Sequence, residues 1–425
     1  MKIIQTDRLN ELMTELSFRR ESQLDQDEST IKNILTNVRK KGDEAVKSYT
    51  LQFDGLDINC PRIPTNQLKI AYESQSDDFI DAMKTAIQNI KRFHEMQASQ
   101  SYEIKDESKF MGQRVLPIRR VGLYVPGGEA LYPSTLLMNV IPAQIAGVNQ
   151  IAIFTPPQAS EEALNSVLAA AYLLGVEEVY QIGGVQAIAV MTYGTQSIER
   201  VDKIFGPGNQ YVTLAKKMVF GEVGIDMLAG PSEILVLSDE TIDSEIVASD
   251  LLSQLEHDTS AMAILLTKSE ANGKRVVEAL KRQIESLTNP SIAEQSFEKG
   301  LFVYLYDSLD QAITIINAIG PEHLELLVEN ANDVFERFIN AGTIFIGATT
   351  PEALGDYLAG PNHTLPTNGN SRFSSSLGVY DFQKRVNYLN YTKEALDREA
   401  SQVIKFAEME GLEAHANAIR RRNGN

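Results

Sequence analysis

Val121-Gly122-Leu123-Tyr124-Val125-Pro126-Gly127-Gly128 is the stretch on which the fold reading turns. Its first five residues read as a buried strand, and Pro-Gly-Gly breaks it into a turn from which a helix starts near Ser134. The same unit recurs downstream, with strands predicted at 151–154, 178–182 and 203–205 and a helix over 160–174. A second run follows, with strands at 233–237, 262–266, 302–305 and 343–346. Strands alternating with helices predict βαβ units and parallel sheets. Two runs of similar layout predict an α/β protein of two related, doubly wound, incompletely Rossmann-like domains with helical N-terminal and C-terminal extensions. The expected division is a helical arm over 1–25, one α/β domain over 26–120 plus 233–375, a second over 121–232, and a helical C-terminal arm over 376–425.

Length and composition narrow the function. A chain of 425 residues holds two or three domains with substantial cores. A net charge of -18 argues against a nucleic-acid or anionic-membrane binder, because both partners call for a basic face. With neither a membrane-length apolar run nor an N-terminal apolar leader, a cytoplasmic protein is expected. The single Cys60 excludes an internal disulfide and a thiolate metal cluster. Only five histidines are present, at 94, 257, 323, 363 and 415, so any metal must be held by N and O ligands.

The histidines fall at informative places. Around 246–257, Val247, Leu251 and Leu255 form an apolar helix face, while Asp250, Gln254 and His257 recur at i, i+4, i+7 on a polar one. Two side chains one turn apart can grip one ion; a helix end carrying a solvated His is the plainer reading. In Gly320-Pro321-Glu322-His323, Pro321 is expected to open a helix whose positive terminus keeps His323 neutral and able to take a proton. An ordinary acidic helix start stands level with that. Asp356 and His363 flank the Gly/Pro-rich entrance to a long loop over 360–378, and Glu410 and His415 flank Gly411. His94, beside an apolar stripe, reads as a packing or surface residue. Tyr124, Gln186 and Asn209 lie at or just past strand ends beside glycines, where open α/β sheets bind ligands, although a complete G-x-G-x-x-G is missing.

Taken together, these stretches resemble histidinol dehydrogenases. The resemblance rests on the 121–128 stretch, Phe205-Gly206-Pro207-Gly208-Asn209, Ala229-Gly230-Pro231-Ser232-Glu233, Ser253-Gln254-Leu255-Glu256-His257, Pro321-Glu322-His323-Leu324-Glu325, and Gly355-Asp356-Tyr357 with Asn362-His363-Thr364-Leu365-Pro366-Thr367. It implies oxidation of L-histidinol through L-histidinal to L-histidine with two NAD⁺, the last two steps of histidine biosynthesis. It implies one zinc ion per subunit on Gln254, His257, Asp356 and His415, the last from the other chain of a homodimer with a shared site. Ser232, His323, His363 and Glu410 would contact substrate together with those ligands, Tyr124, Gln186 and Asn209 would contact NAD, and Glu322 with His323 would be the acid/base pair. The metal and acid/base residues would then sit in the domain containing 233–375, and NAD on 121–232.

Three rivals make distinguishable demands. A thiol aldehyde dehydrogenase needs a Cys nucleophile, and Cys60 is remote from every motif. A zinc hydrolase using Glu322 and His323 would show no dependence on NAD⁺. A non-catalytic acidic binding protein would be indifferent to loss of His323.

Overall fold

The computed structural model describes residues 3–5, 28–57, 60–127, 132–157 and 161–423. Among them the strands in chain order are β1 (Ile3–Gln5), β2 (Tyr102–Lys105), β3 (Lys109–Pro117), β4 (Arg120–Tyr124), β5 (Gln150–Thr155), β6 (Glu178–Gln181) and β7 (Lys203–Phe205). They continue with β8 (Gly224–Ile225), β9 (Glu233–Ser238), β10 (Met262–Thr267), β11 (Leu301–Leu305), β12 (His323–Leu327), β13 (Thr343–Ile346) and β14 (Gln383–Tyr391).

Two all-parallel sheets organise the chain, ordered β6-β5-β4-β7-β8 and β1-β11-β10-β9-β12-β13. With the added edge strand β1 set aside, both read 3-2-1-4-5 in their own chain order. That is the doubly wound half-unit, and the repeated order matches the two related domains expected. Every residue of β4, β9 and β10 is buried, as parallel strands covered on both faces must be.

Four expectations need correction. The segment His323–Leu327 is a strand and not a helix start. Gly320, at φ 63, is the left-handed cap that ends the helix Leu309–Ile319, so Pro321 follows a helix and does not open one. The helices between 28 and 95, expected with the second sheet, pack on the first. Ile31, Ile34, Leu35 and Val38 join the core around Tyr124 and Phe154, while Ile80, Met83 and Ile90 join that around Leu123 and Ile153. Apolar stripes show that a helix packs, but not on which sheet. The C-terminal segment begins with a strand: β14 pairs antiparallel with β3, and β3 with β2, in a third sheet. Its outer strands are largely exposed, so they carry little of the core-facing pattern from which strands are read. Ile3–Gln5 is an edge strand on β11; the rest of the helical arm expected over 1–25 lies outside the described residues, as does Gly128.

The two C-terminal helices, Lys393–Met409 and Glu413–Asn423, and the loop over 360–378 agree with expectation. His94 is fully buried, with Nδ1 2.8 Å from the Ile90 carbonyl, and is a packing residue. Among the described residues no helix is long and apolar enough to cross a membrane.

Candidate active site

The helix Ser244–Leu255 lays Val247, Leu251 and Leu255 on the second sheet. As a crossover between parallel strands, it runs back against them and ends at their amino end. His257 stands two residues past the helix, its N–H donating to the Gln254 carbonyl at 3.2 Å. From the other side the helix Glu352–Tyr357 brings Glu352 and, one turn on, Asp356. Ligating atoms of His257, Glu352 and Asp356 all lie within 4.8 Å of one another. Gln254 is fully buried, yet neither its Oε1 nor its Nε2 has a hydrogen-bond partner. An orphaned buried amide costs roughly 1–3 kcal/mol, and one placed a turn before His257 fits a ligand awaiting a cation. An imidazole, carboxylates and an amide oxygen form a donor set that suits zinc or a similar divalent ion. Glu352 was not foreseen; its i, i+4 spacing from Asp356 was the available signal.

Glu322 and His323 open β12 at this same end. The Glu233 N–H donates to Glu322 Oε2 at 2.8 Å. Burial pushes the Glu322 carboxyl up to about 8, opposed by the adjacent His323. Nδ1 of His323 lies 3.1 Å from the Glu233 carbonyl oxygen, which can only accept. The proton therefore belongs on Nδ1, and Nε2 faces Glu352 Oε1 at 3.5 Å. A strand carbonyl, and not a helix terminus, sets the tautomer of His323. Burial, with the Asp356 carboxylate adding to it, holds Glu352 well above the usual carboxylate range.

The long loop closes over this cluster. His363 Nδ1 donates to the Asp356 carbonyl at 2.9 Å, and burial lowers its affinity for a proton, with His323 and His257 near enough to contribute. Thr367 accepts the Gly230 N–H at 2.6 Å, which ties the loop to the turn containing Ser232. Glu410 and His415 do not join the cluster within one chain: Glu410 is exposed in the turn between the C-terminal helices and His415 on the last of them.

At the carboxyl end of the first sheet the strand order reverses between β4 and β7, the position at which doubly wound sheets bind ligands. The Tyr124 hydroxyl accepts the Gly184 N–H at 3.1 Å, and Gln186 Nε2 donates to Asp54 Oδ2 at 3.3 Å. Gly206, at φ 104, passes so near β4 that a Cβ would sit 2.1 Å from the Tyr124 carbonyl oxygen. Its N–H donates to Asp226 Oδ2 at 2.7 Å and its carbonyl accepts from Lys216 Nζ at 2.9 Å. Lys216 and Asp226 are themselves a buried ion pair. Asn209 Oδ1 caps the following helix, accepting from Tyr211 and Val212 N–H, both at 3.1 Å. Sequence reasoning placed Tyr124, Gln186 and Asn209 here and missed Asp54, which nothing in its own surroundings marks.

Comparison with known proteins identifies the family. The family model described as histidinol dehydrogenase matches residues 17–423. The chain is 48% identical to the histidinol dehydrogenase of Listeria innocua over 413 residues, 97% of this chain and 96% of that protein. It is 45% identical to that of Bacillus subtilis over 395 residues, 92% of each. The crystal structure of histidinol dehydrogenase from Elizabethkingia anophelis superimposes with a TM-score of 0.88 at 38% identity, covering 94% of this chain and 92% of that one. The likeness thus runs through both sheets, the loop that closes the cluster and the C-terminal helices, and the chain belongs to the histidinol dehydrogenase family.

Proposed function

We propose that this protein oxidises L-histidinol to L-histidine through L-histidinal, with two NAD⁺ and one water, as the last two steps of histidine biosynthesis in the cytoplasm. The observation that carries the reading is the convergence of an orphaned Gln254 amide, His257 and Asp356 on the end of the sheet where Glu322 and His323 stand. One zinc ion per subunit would be held by Gln254, His257 and Asp356, with His415 supplied by a second copy in a homodimer. The exposure of His415 on a C-terminal helix supports that last assignment. When bound, the ion supplies a template that retains and orients the substrate's imidazole and amino nitrogens.

The chain's own residues do the rest. His323, with Nε2 unprotonated, takes the hydroxyl proton as hydride passes from the carbinol carbon to the first NAD⁺. Glu322 then draws a proton from the water adding to the aldehyde. His323 returns its proton to the aldehyde oxygen as the hydrate forms. The hydrate's C–H then leaves as hydride to the second NAD⁺, and His323 again takes a hydroxyl proton. The acid so formed gives its last proton to solvent to leave the carboxylate of histidine. A carboxyl that titrates near the working pH is suited to pass protons both ways. Ser232, His363 and Glu410 would complete the substrate's surroundings. Tyr124, Gln186 and Asn209 would hold the dinucleotide at the first sheet, so each α/β unit has its own task.

Reduced-nicotinamide absorbance with L-histidinol tests the reading. The expected result is two NADH per histidinol, lost on chelation and restored by zinc. Turnover without NAD⁺, or one NADH per substrate with free aldehyde, would overturn it. Mixing His415→Ala with His257→Ala chains should restore partial activity if the site is shared between subunits.

A further inference from the structure

Behind the candidate site one side chain touches all three segments that build it. Glu325 is fully buried on β12, two residues past His323 and therefore on the same face of the sheet. It accepts the Glu352 N–H at 2.8 Å, at the first residue of the helix that carries Asp356. Its other oxygen, Oε2, is buried without a donor and lies against the carboxyl of Asp250, which is 8% exposed and stands one turn before Gln254.

The geometry calls for such a connection. The helix Glu352–Tyr357 is six residues long, and the one residue it buries is Glu352 itself. A helix this short does not hold itself; besides the half-buried Leu358 that caps it, its ties are polar, the Glu352 N–H to Glu325 among them. The helix Ser244–Leu255 is held on the second sheet by apolar packing, to which a polar tie adds a directional contact. Two carboxyls lying against each other need one proton shared between them, and burial favours keeping it, holding Glu325 up near about 9. An apolar pair of similar volume would serve stability as well or better. What the acids add is a fixed distance between elements.

We propose that Glu325 is a positioning residue whose carboxyl spans Asp250 and the Glu352 N–H, fixing the segments bearing Gln254, His257 and Asp356 against the strand bearing Glu322 and His323. Its ligand, though not its geometry, rests on the metal-dependent reading above.

Three variants and two readouts test it: zinc affinity by competition with a chelating dye, and amide exchange over 352–357 in the metal-free protein. Glu325→Gln keeps both ties, accepting from Glu352 through Oε1 and donating to Asp250 through Nε2. It should hold zinc within about threefold of wild type and leave exchange slow, since a neutral amide of the same length satisfies both partners. Glu325→Leu removes both ties. It should weaken zinc binding by about 10–100-fold, the usual cost of losing a group that orients a ligand, and speed exchange across 352–357. If Glu325→Leu does not fold, Glu325→Asp, an acid one methylene too short to span both partners, has to show that loss instead. Wild-type affinity and exchange in the Leu or Asp variant would overturn the proposal, as would equal losses in Glu325→Gln and Glu325→Leu. A wild-type chain that bound no zinc would sink the proposed function instead, and the exchange comparison would still decide the role of Glu325.

Discussion

The two parallel sheets share one strand order and gather their candidate site residues at opposite ends. In the first, the reversal between β4 and β7 brings Tyr124, the Gly183-Gly184 turn and Gly206 together at the carboxyl end. In the second, the equivalent position between β9 and β12 is bridged by hydrogen bonds around Asp239. Asp239 accepts from Thr241 N–H at 2.9 Å and Glu329 N–H at 3.2 Å, and its own N–H donates to the Leu327 carbonyl at 3.3 Å. Asn272, buried, reaches the Asp239 carbonyl at 3.4 Å from the neighbouring crossover. The ionisable side chains gather at the other end, at Glu322 and His323. The difference teaches that strand order tells where a ligand site can form, while the side chains at that position decide what it offers. Helices running against the strands can equip the amino end as readily.

The sharpest test of this division is His323→Ala. It should lower kcat by roughly 10²–10⁴-fold, the range for one general base, with zinc content and NAD⁺ binding unchanged; a loss confined to KM for NAD⁺ would break the comparison. His257→Ala should come next, with zinc affinity down by on the order of 100-fold in dialysis against chelator, at or beyond the upper end for orienting partners alone. Gly206→Ala addresses the first sheet. A Cβ forced against the Tyr124 carbonyl at positive φ costs about 1–3 kcal/mol, read as a KM for NAD⁺ raised several-fold with zinc binding intact.

A subtler asymmetry lies in the protons. Glu322 and Glu325 titrate near about 8 and about 9 in the folded chain against 4.5 ordinarily. Between those values the native state binds more protons than the unfolded one. Their contribution to stability is complete below about 4.5 and is lost as pH rises through 8 and 9. Calorimetry of the metal-free protein should therefore show a melting temperature that falls toward alkaline pH, less steeply in Glu322→Gln. The smallest effect belongs to Asp239→Ala, which should cost about 1 kcal/mol of stability and leave zinc affinity and both Michaelis constants unmoved. A change in either would mean the carboxyl end of the second sheet is not inert.

Much of this was legible in the sequence, for identifiable reasons. Strands buried on both faces announce themselves as short apolar runs between glycines, and eight were placed within about two residues of their observed positions. β12 escaped because Gly-Pro closes one helix as naturally as it opens another, and because His323 and Glu325 interrupt its apolar run. The third sheet escaped because its outer strands β2 and β14 lie mostly in solvent and its central strand β3 is only half-buried. The site was legible through its imidazoles and the motifs around them. Glu352 and Glu325 were not, since a carboxylate on a short helix or a strand looks like a solvated residue until burial is known.

The pairing of β14 with β3 has a consequence for how the chain is assembled. Tyr388 opposes Gly112, so some 270 residues separate partners in that ribbon. During synthesis the β2–β3 hairpin, which leads straight into β4, must wait with a bare edge until nearly all of the polypeptide has emerged. Removing the last helices together with β14 would thus expose a nine-residue strand edge at the entrance to the first sheet, inviting chain-to-chain stacking. What looks like a detachable tail is the final closure of the middle of the molecule.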